Sequence, residues 1–378
     1  RILPEAEVRL SHTAEDPGLK VLPPPEQIRD LALGEVARLR SGDFDDDIIS
    51  AVINNIKLEK QQALEDNSSR AVQYVDAFID GISWKDACSR IRRLENETRE
   101  DVISFAREYL GENNYVAVYK RQGTDDSVKK ISAPAITPIV TNRDRESDFL
   151  AEIKAVQVTP IEPVFVDFDR DMKKFDIAPA VEVLYKKNTV NDVFDLSYEY
   201  NAGRETDPEL SIAFDYLSYL GTEDRDAEEI ASEMYKLACD YSFSVGTRTV
   251  ISVSGLSENM EEAAGIVEDL ILHAEPDEEI LDGLKQDILK DREDTKTNQM
   301  ACFRALKRYM YYGGDFIRRT TLTNDEVLAL TSEQLLSKIR EVYSKGHTVK
   351  YYGPVSEMKL KEALNDCHEV SDDGEVLP

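Results

Sequence analysis

The sequence predicts an α+β fold of two-layer lobes, each a mainly antiparallel sheet packed against long helices. Three observations carry that prediction. The segment Phe194 to Tyr200 places Phe194, Leu196, Tyr198 and Tyr200 in strict alternation with Asp195, Ser197 and Glu199, which is the period of a half-buried strand. Several long segments instead space their apolar residues three or four apart, the period of an amphipathic helix. Only 17 Gly and 14 Pro occur in 378 residues, a composition that favours long helices over many tight turns.

The first third reads as helical. Asp47 to Asp66 brings Ile48, Val52, Ile56 and Ala63 towards one face, behind the acidic run Asp43 to Asp47. Carboxylates at that place complement the partial positive charge of a helix N-terminus. The run reads as a solvated helix start in preference to a calcium loop, because it lacks the central Gly and the closing Glu. Trp84 reads as a packing anchor at a helix start. Thr98 and Asp101 form a capping pair ahead of the helix VISFAREYL, and Tyr115 to Tyr119 then reads as a buried strand. From Gln122 to about Pro160, mixed charges and scattered prolines without a sustained period predict a linker.

Strands open the second part. After Phe194 to Tyr200, Asp207 and Pro208 begin a helix through Leu220, and another follows from about Ala227 to Cys239. YSFSV and TVISVSG, joined across Gly246, predict a hairpin. Ser257 caps a helix whose Met260, Ala264, Val267 and Ile271 make one apolar stripe facing a core. A charged helix from Asp277 to about Lys296 comes next, then another through Tyr312. Capping boxes at Thr323 with Glu326 and Thr331 with Gln334 begin the last short helices.

Charge and composition exclude several functions. With 46 Lys and Arg against 75 Asp and Glu, the net charge is −29, which repels nucleic-acid phosphates and anionic headgroups. No apolar run approaches the ~18 residues that a membrane span needs. Cys88, Cys239, Cys302 and Cys367 lie far apart, so neither a disulfide framework nor a clustered zinc site is expected; Cys239 and Cys302 sit in apolar helical patterns and read as small core residues. His12, His273, His347 and His368 never stand one helical turn apart, and each reads as a surface or helix-end residue rather than a ligand. Nucleophile-elbow, phosphate-loop and dinucleotide-binding motifs are missing. The chain opens on RILPEAEVRL without an initiator Met or a leader, so it reads as part of a longer protein.

The chain also resembles itself. TREDVISFAREYLGENNYVAVY from Thr98 aligns without a gap on TSEQLLSKIREVYSKGHTVKYY from Thr331. Identities fall at Thr98/Thr331, Glu100/Glu333, Ser104/Ser337, Arg107/Arg340, Glu108/Glu341, Val116/Val349 and Tyr119/Tyr352. They span a cap, a helix and a strand, which predicts an internal repeat. The expected organisation is therefore the C-terminal part of a first lobe over 1–125, a linker over 126–160, and a second, homologous lobe over 161–378. The front of the first lobe would lie upstream of Arg1.

At the second lobe the residues resemble a known family. ELSIAFDYLSYLGT, Glu209 to Thr222, is similar to the helix bearing His-x-x-Glu-His in the insulinase/pitrilysin family of inverted zinc metallopeptidases. LRSGDFDDDIISAVINNIKLEKQQALED, ISWKDA, YLGTEDRDAEE and VKYYGP resemble that family too. The resemblance implies homologous αβ lobes that close as a clamshell around a peptide. In that motif two imidazoles at i and i+4 bind zinc, while the Glu takes a proton from the metal-bound water. Anchored on Gly221 and Thr222, the matching positions here are Ile212, Asp215 and Tyr216. A further Glu ligand of the family falls among Asp287 to Glu293.

With Ile and Tyr at the imidazole positions, no catalytic, cofactor or metal residue is expected in this chain. Instead, the resemblance implies zinc in the front lobe of the parent protein. The resemblance implies a non-catalytic portion of a metalloendopeptidase, with a peptide or unfolded polypeptide and the remaining lobes as partners. A pseudoenzyme scaffold with an assembly role is the alternative. The family suggests a periplasmic setting, with a cytoplasmic one open.

Overall fold

The structure, a computed structural model, describes residues 25–111, 113–119, 133, 136–138 and 145–368. The front of the chain is helical: α1 Pro25–Ser41, α2 Ile48–Ala63, α3 Asn67–Ile79, α4 Trp84–Cys88, α5 Arg90–Leu94 and α6 Arg99–Tyr109. Two short helices follow, α7 Asp148–Ala155 and α8 Phe168–Asp171. The expected linker is thus partly helical where it is described, and its remainder lies outside the described residues.

The remaining elements run β1 Lys173–Ala178, β2 Val181–Lys187, β3 Val193–Tyr200, α9 Glu209–Leu217, α10 Ala227–Lys236, β4 Cys239–Val245, β5 Thr249–Leu256 and α11 Met260–His273. Then come α12 Glu278–Thr297, α13 Gln299–Arg319, α14 Asn324–Ala329, α15 Ser332–Tyr343, β6 His347–Gly353 and α16 Glu357–Cys367. The strands form one sheet in the order β1-β2-β6-β3-β5-β4. Only β2 and β6 pair in parallel; the other neighbours are antiparallel.

This is the two-layer α+β arrangement that the alternating strands predict. Val183, Phe194, Leu196, Tyr198, Ile251, Val253 and Val349 turn one face of the sheet inward. Against it pack Leu210, Ala213 and Leu217 of α9, Ala264, Val267 and Ile271 of α11, and Leu335 and Ile339 of α15, in one continuous core. Glu209, Glu261 and Asp277 begin or precede helices whose first turns gain from negative charge.

The front helices dock on this lobe through α2. Leu58 joins Val193, Ala238 and Leu256 in a small satellite cluster. Asn55 Nδ2 donates to the Tyr235 carbonyl at 2.7 Å, and the Asp192 amide donates to Gln61 Oε1 at 3.0 Å. The acidic run precedes α2, but Asp47 makes no side-chain cap there and the run pairs outward. Asp47 contacts Lys236 at 2.8 Å, and Asp46 pairs with Arg99.

Several sequence expectations need correction. In α2 the buried residues are Ala51 and Leu58, whereas Val52 is exposed, because the docking surface on β3 and β5 selects a face rotated from the expected stripe. Tyr115 to Tyr119 is not a strand: no described strand pairs with it, and Val116 and Val118 are 88% and 89% exposed. A strand exists only where a neighbour completes its ladder.

The repeat therefore agrees in its helix and cap but not in its strand. Thr98 and Thr331 both cap helices, yet only the second is followed by a strand, β6. Thr323 with Glu326 is a full capping box, while at Thr331 only the threonine half forms. Helix α10 stops at Lys236, so Cys239 opens a strand, and α13 continues past Tyr312 across a kink at Gly313, whose φ of 77° suits glycine alone. Cys239 is buried as expected, but Cys302 is exposed. Trp84 starts α4 and packs, tilted, against the Tyr74 ring at 4.2 Å while remaining partly exposed.

Candidate functional site

Helix α9 carries the three positions that the sequence singles out, and its neighbours fix its place. Its start is held by the Asp207 carboxylate, which accepts from the Glu209 amide at 2.9 Å. Lys338 of α15 reaches across to Asp207 at 2.5 Å and to Glu209 at 3.1 Å. Burial lowers the Lys338 pKa, but the two carboxylates outweigh that and hold the ammonium above its ordinary value. At the far end, Gly221 makes a close approach to α10. A Cβ there would lie 2.4 Å from the Arg225 carbonyl oxygen, so only glycine fits.

Ile212 is buried in the main core and offers no lone pair. Tyr216, one turn later, is completely buried. Its hydroxyl accepts from the Asp277 amide at 2.8 Å and lies 2.9 Å from Ser332 Oγ and 3.0 Å from the Asp277 carbonyl. One phenol thus ties α9 to the first turns of α12 and α15. Asp215 points outward; nearby protein raises its carboxyl pKa, with Arg204 opposing. Of the stretch proposed for the further ligand, Asp287, Asp291 and Glu293 are exposed on α12.

These residues do not fit zinc. Ile212 has no donor atom, and the Tyr216 oxygen is already engaged by a buried hydrogen-bond set that neutral phenol satisfies. Among the described residues, no group of three or more His, Cys, Asp or Glu is placed to hold a metal ion.

The structure also assembles a polar cluster that the sequence did not reveal. His347, at the start of β6, and His368, capping α16, are both buried, contrary to the surface placement expected for His347. Their Nε2 atoms lie 2.9 Å apart. His368 Nδ1 is 3.0 Å from Glu268 Oε1, while Tyr198 and Tyr343 donate to Glu268 at 2.8 and 2.6 Å. No spacing could have shown this, because the members come from β3, α11, α15, β6 and the end of α16. His273 fits its helix-end reading: it is the exposed last residue of α11, 2.9 Å from Asp269. His12 lies outside the described residues.

Fold and site together define an α+β lobe whose sheet-packed helix α9 is built for packing. In chain course it is similar to the peptidase M16 inactive domain from Pseudomonas fluorescens, at 17% identity and a TM-score of 0.48, covering 55% of this chain and 52% of that one. It is similar also to the periplasmic protease PqqL from Escherichia coli, at 13% identity and a TM-score of 0.48, covering 93% of this chain and 42% of that one. A protease from Helicobacter pylori matches at 11% identity and a TM-score of 0.45, covering 55% and 51%. The chain spans about half the length of these structures or less. No family model matches it, and no curated relative matches its sequence. No helix among the described residues is long and apolar enough to cross a membrane.

Proposed function

We propose that this chain is a non-catalytic portion of an insulinase-type zinc metalloendopeptidase, in which residues 161–378 form a lobe that helps enclose peptide while another lobe hydrolyses it. The observation that carries this reading is Tyr216. At a position where the resemblance puts a zinc-binding imidazole, the chain has a buried phenol whose hydroxyl joins three helices. The motif helix keeps its architectural place and has exchanged donor atoms for packing and hydrogen bonds. Residues 1–125 belong to a preceding lobe in this reading, with zinc held there.

Helix α13 supports a role in holding polypeptide. None of its described residues is buried, and Met300, Phe303, Leu306, Tyr309 and Met310 are all more than half exposed. Flexible thioethers and broad aromatic faces suit side chains of varied shape. The charge of −29 favours basic peptides.

The test has two parts. The purified chain should bind no stoichiometric zinc by metal analysis and should leave a quenched peptide uncut. The parent protein should carry His-x-x-Glu-His in the preceding lobe and cleave the same peptide in a chelator-sensitive way. Chelator-sensitive turnover by this chain alone, surviving repurification, would overturn the reading, and so would a parent without the motif.

A further inference from the structure

We propose that His347, His368 and Glu268 form a buried proton-operated latch, which fastens the end of α16 to the sheet at neutral pH and opens when the histidine pair takes up one further proton. This inference is independent of the peptidase reading.

Hydrogen-bond polarity fixes where the protons are. His347 Nδ1 lies 2.9 Å from the Lys345 carbonyl oxygen, which can only accept, so Nδ1 carries hydrogen. In the neutral ring His347 Nε2 is then a lone pair, and His368 Nε2, 2.9 Å away, must donate to it. On the other side of His368, Nδ1 faces Glu268 Oε1 at 3.0 Å. The Tyr343 hydroxyl also lies 3.0 Å from that nitrogen. The bond between the rings thus needs hydrogen on His347 Nδ1 and on His368 Nε2, with His347 Nε2 as the bare acceptor. Tyr198 and Tyr343 complete the carboxylate's partners. Such a pair is favourable when desolvated only because every polar atom in it is matched.

A further proton on His347 has one place to go, Nε2. It would set two N–H groups against each other across the bond that now joins the rings, whose centroids are 4.9 Å apart. Burial, then the charge of His368, lowers the His347 pKa from its ordinary 6.5 to about 4. The unfolded or released histidine binds that proton more readily. The contribution of His347 to the latch is therefore fully present above about pH 6.5 and is lost as pH falls towards about 4.

The proton has a route. His347 lines an open surface pocket of about 350 Å³, beside Asp176, Glu182, Glu199 and Arg248. Glu199 is held there by Arg248 and Lys350. Inside, the Tyr200 ring lies tilted against His347 at 4.5 Å and Tyr198 stacks on His368 at 4.5 Å; burial keeps the Tyr200 phenol neutral, and its hydroxyl has no hydrogen-bond partner among the described residues. What the latch holds is local. His368 closes α16, which otherwise packs on α11 and β1, whereas β3 and β5 are secured by their own ladders.

Hydrogen exchange on the full chain tests this, with rates corrected for the intrinsic pH dependence. Between about pH 7 and about pH 4.5, the amides of α16 should gain at least about tenfold in exchange relative to those of β3 and β5. In His347→Gln, whose amide oxygen accepts the same His368 hydrogen but takes no proton, that gain should fall below about twofold. Unchanged relative protection of α16 in the wild type would overturn the latch, as would an equal gain in the variant. Should the variant fail to fold, long-range imidazole ¹H–¹⁵N spectra of the wild type decide. At neutral pH His368 Nε2 should carry hydrogen and His347 Nε2 should be bare; a protonated His347 Nε2, or a bare His368 Nε2, would refute the assignment.

Discussion

Replacing Tyr216 by phenylalanine removes one oxygen atom from a completely buried ring and leaves its packing in place. The structure shows what that oxygen holds. It accepts the Asp277 amide at 2.8 Å, and Ser332 Oγ lies 2.9 Å away. Ser332 is itself fully buried, so its hydroxyl has no water to turn to when the phenol is gone. Each lost bond is worth about 1 kcal/mol net, and a stranded buried group adds about 1–3 kcal/mol. The Asp277 side is closer to solvent and recovers part of its share. The expected loss is therefore about 2 kcal/mol, roughly a 30-fold shift in the folding equilibrium. Urea unfolding followed by circular dichroism measures it, with an unchanged m-value showing that the denatured state is the same. Ser332→Ala should cost less, and the double variant should cost less than the sum of the singles, because both remove one shared bond. A Tyr216→Phe chain within about 0.5 kcal/mol of the wild type would refute the claim that this hydroxyl is structural.

Two further outcomes are expected. Burial pushes the Cys239 thiol up to about 12, so it stays protonated until strongly alkaline pH, and iodoacetamide near neutrality should label exposed Cys88 and Cys302 long before it; peptide mapping that finds Cys239 labelled as fast would contradict its placement in β4. Thr98→Ala removes the side chain that accepts the Asp101 amide and half of a capping box, which should cost about 1 kcal/mol and fray α6 in hydrogen exchange while leaving α15 untouched.

The sequence by itself determined what depends on neighbours along the chain. Alternation fixed β3 and the β4–β5 hairpin, helical spacing fixed α11 and α12, and local side-chain chemistry fixed the caps at Thr98, Asp277 and Thr323. It also showed that Ile212 and Tyr216 lack the donors that zinc requires, since that is a property of residue type. Tertiary structure decided everything that needs a partner from elsewhere. Tyr115 to Tyr119 has a strand's pattern but no ladder, and α2 buries Leu58 because Val193, Ala238 and Leu256 converge there. Cys302 has an apolar neighbourhood in sequence yet is exposed on α13. His347 and His368 carry no local sign of burial. Only the return of β6 beside β3, and the end of α16 over Glu268, bring two imidazoles and a carboxylate together, and desolvation then sets their chemistry.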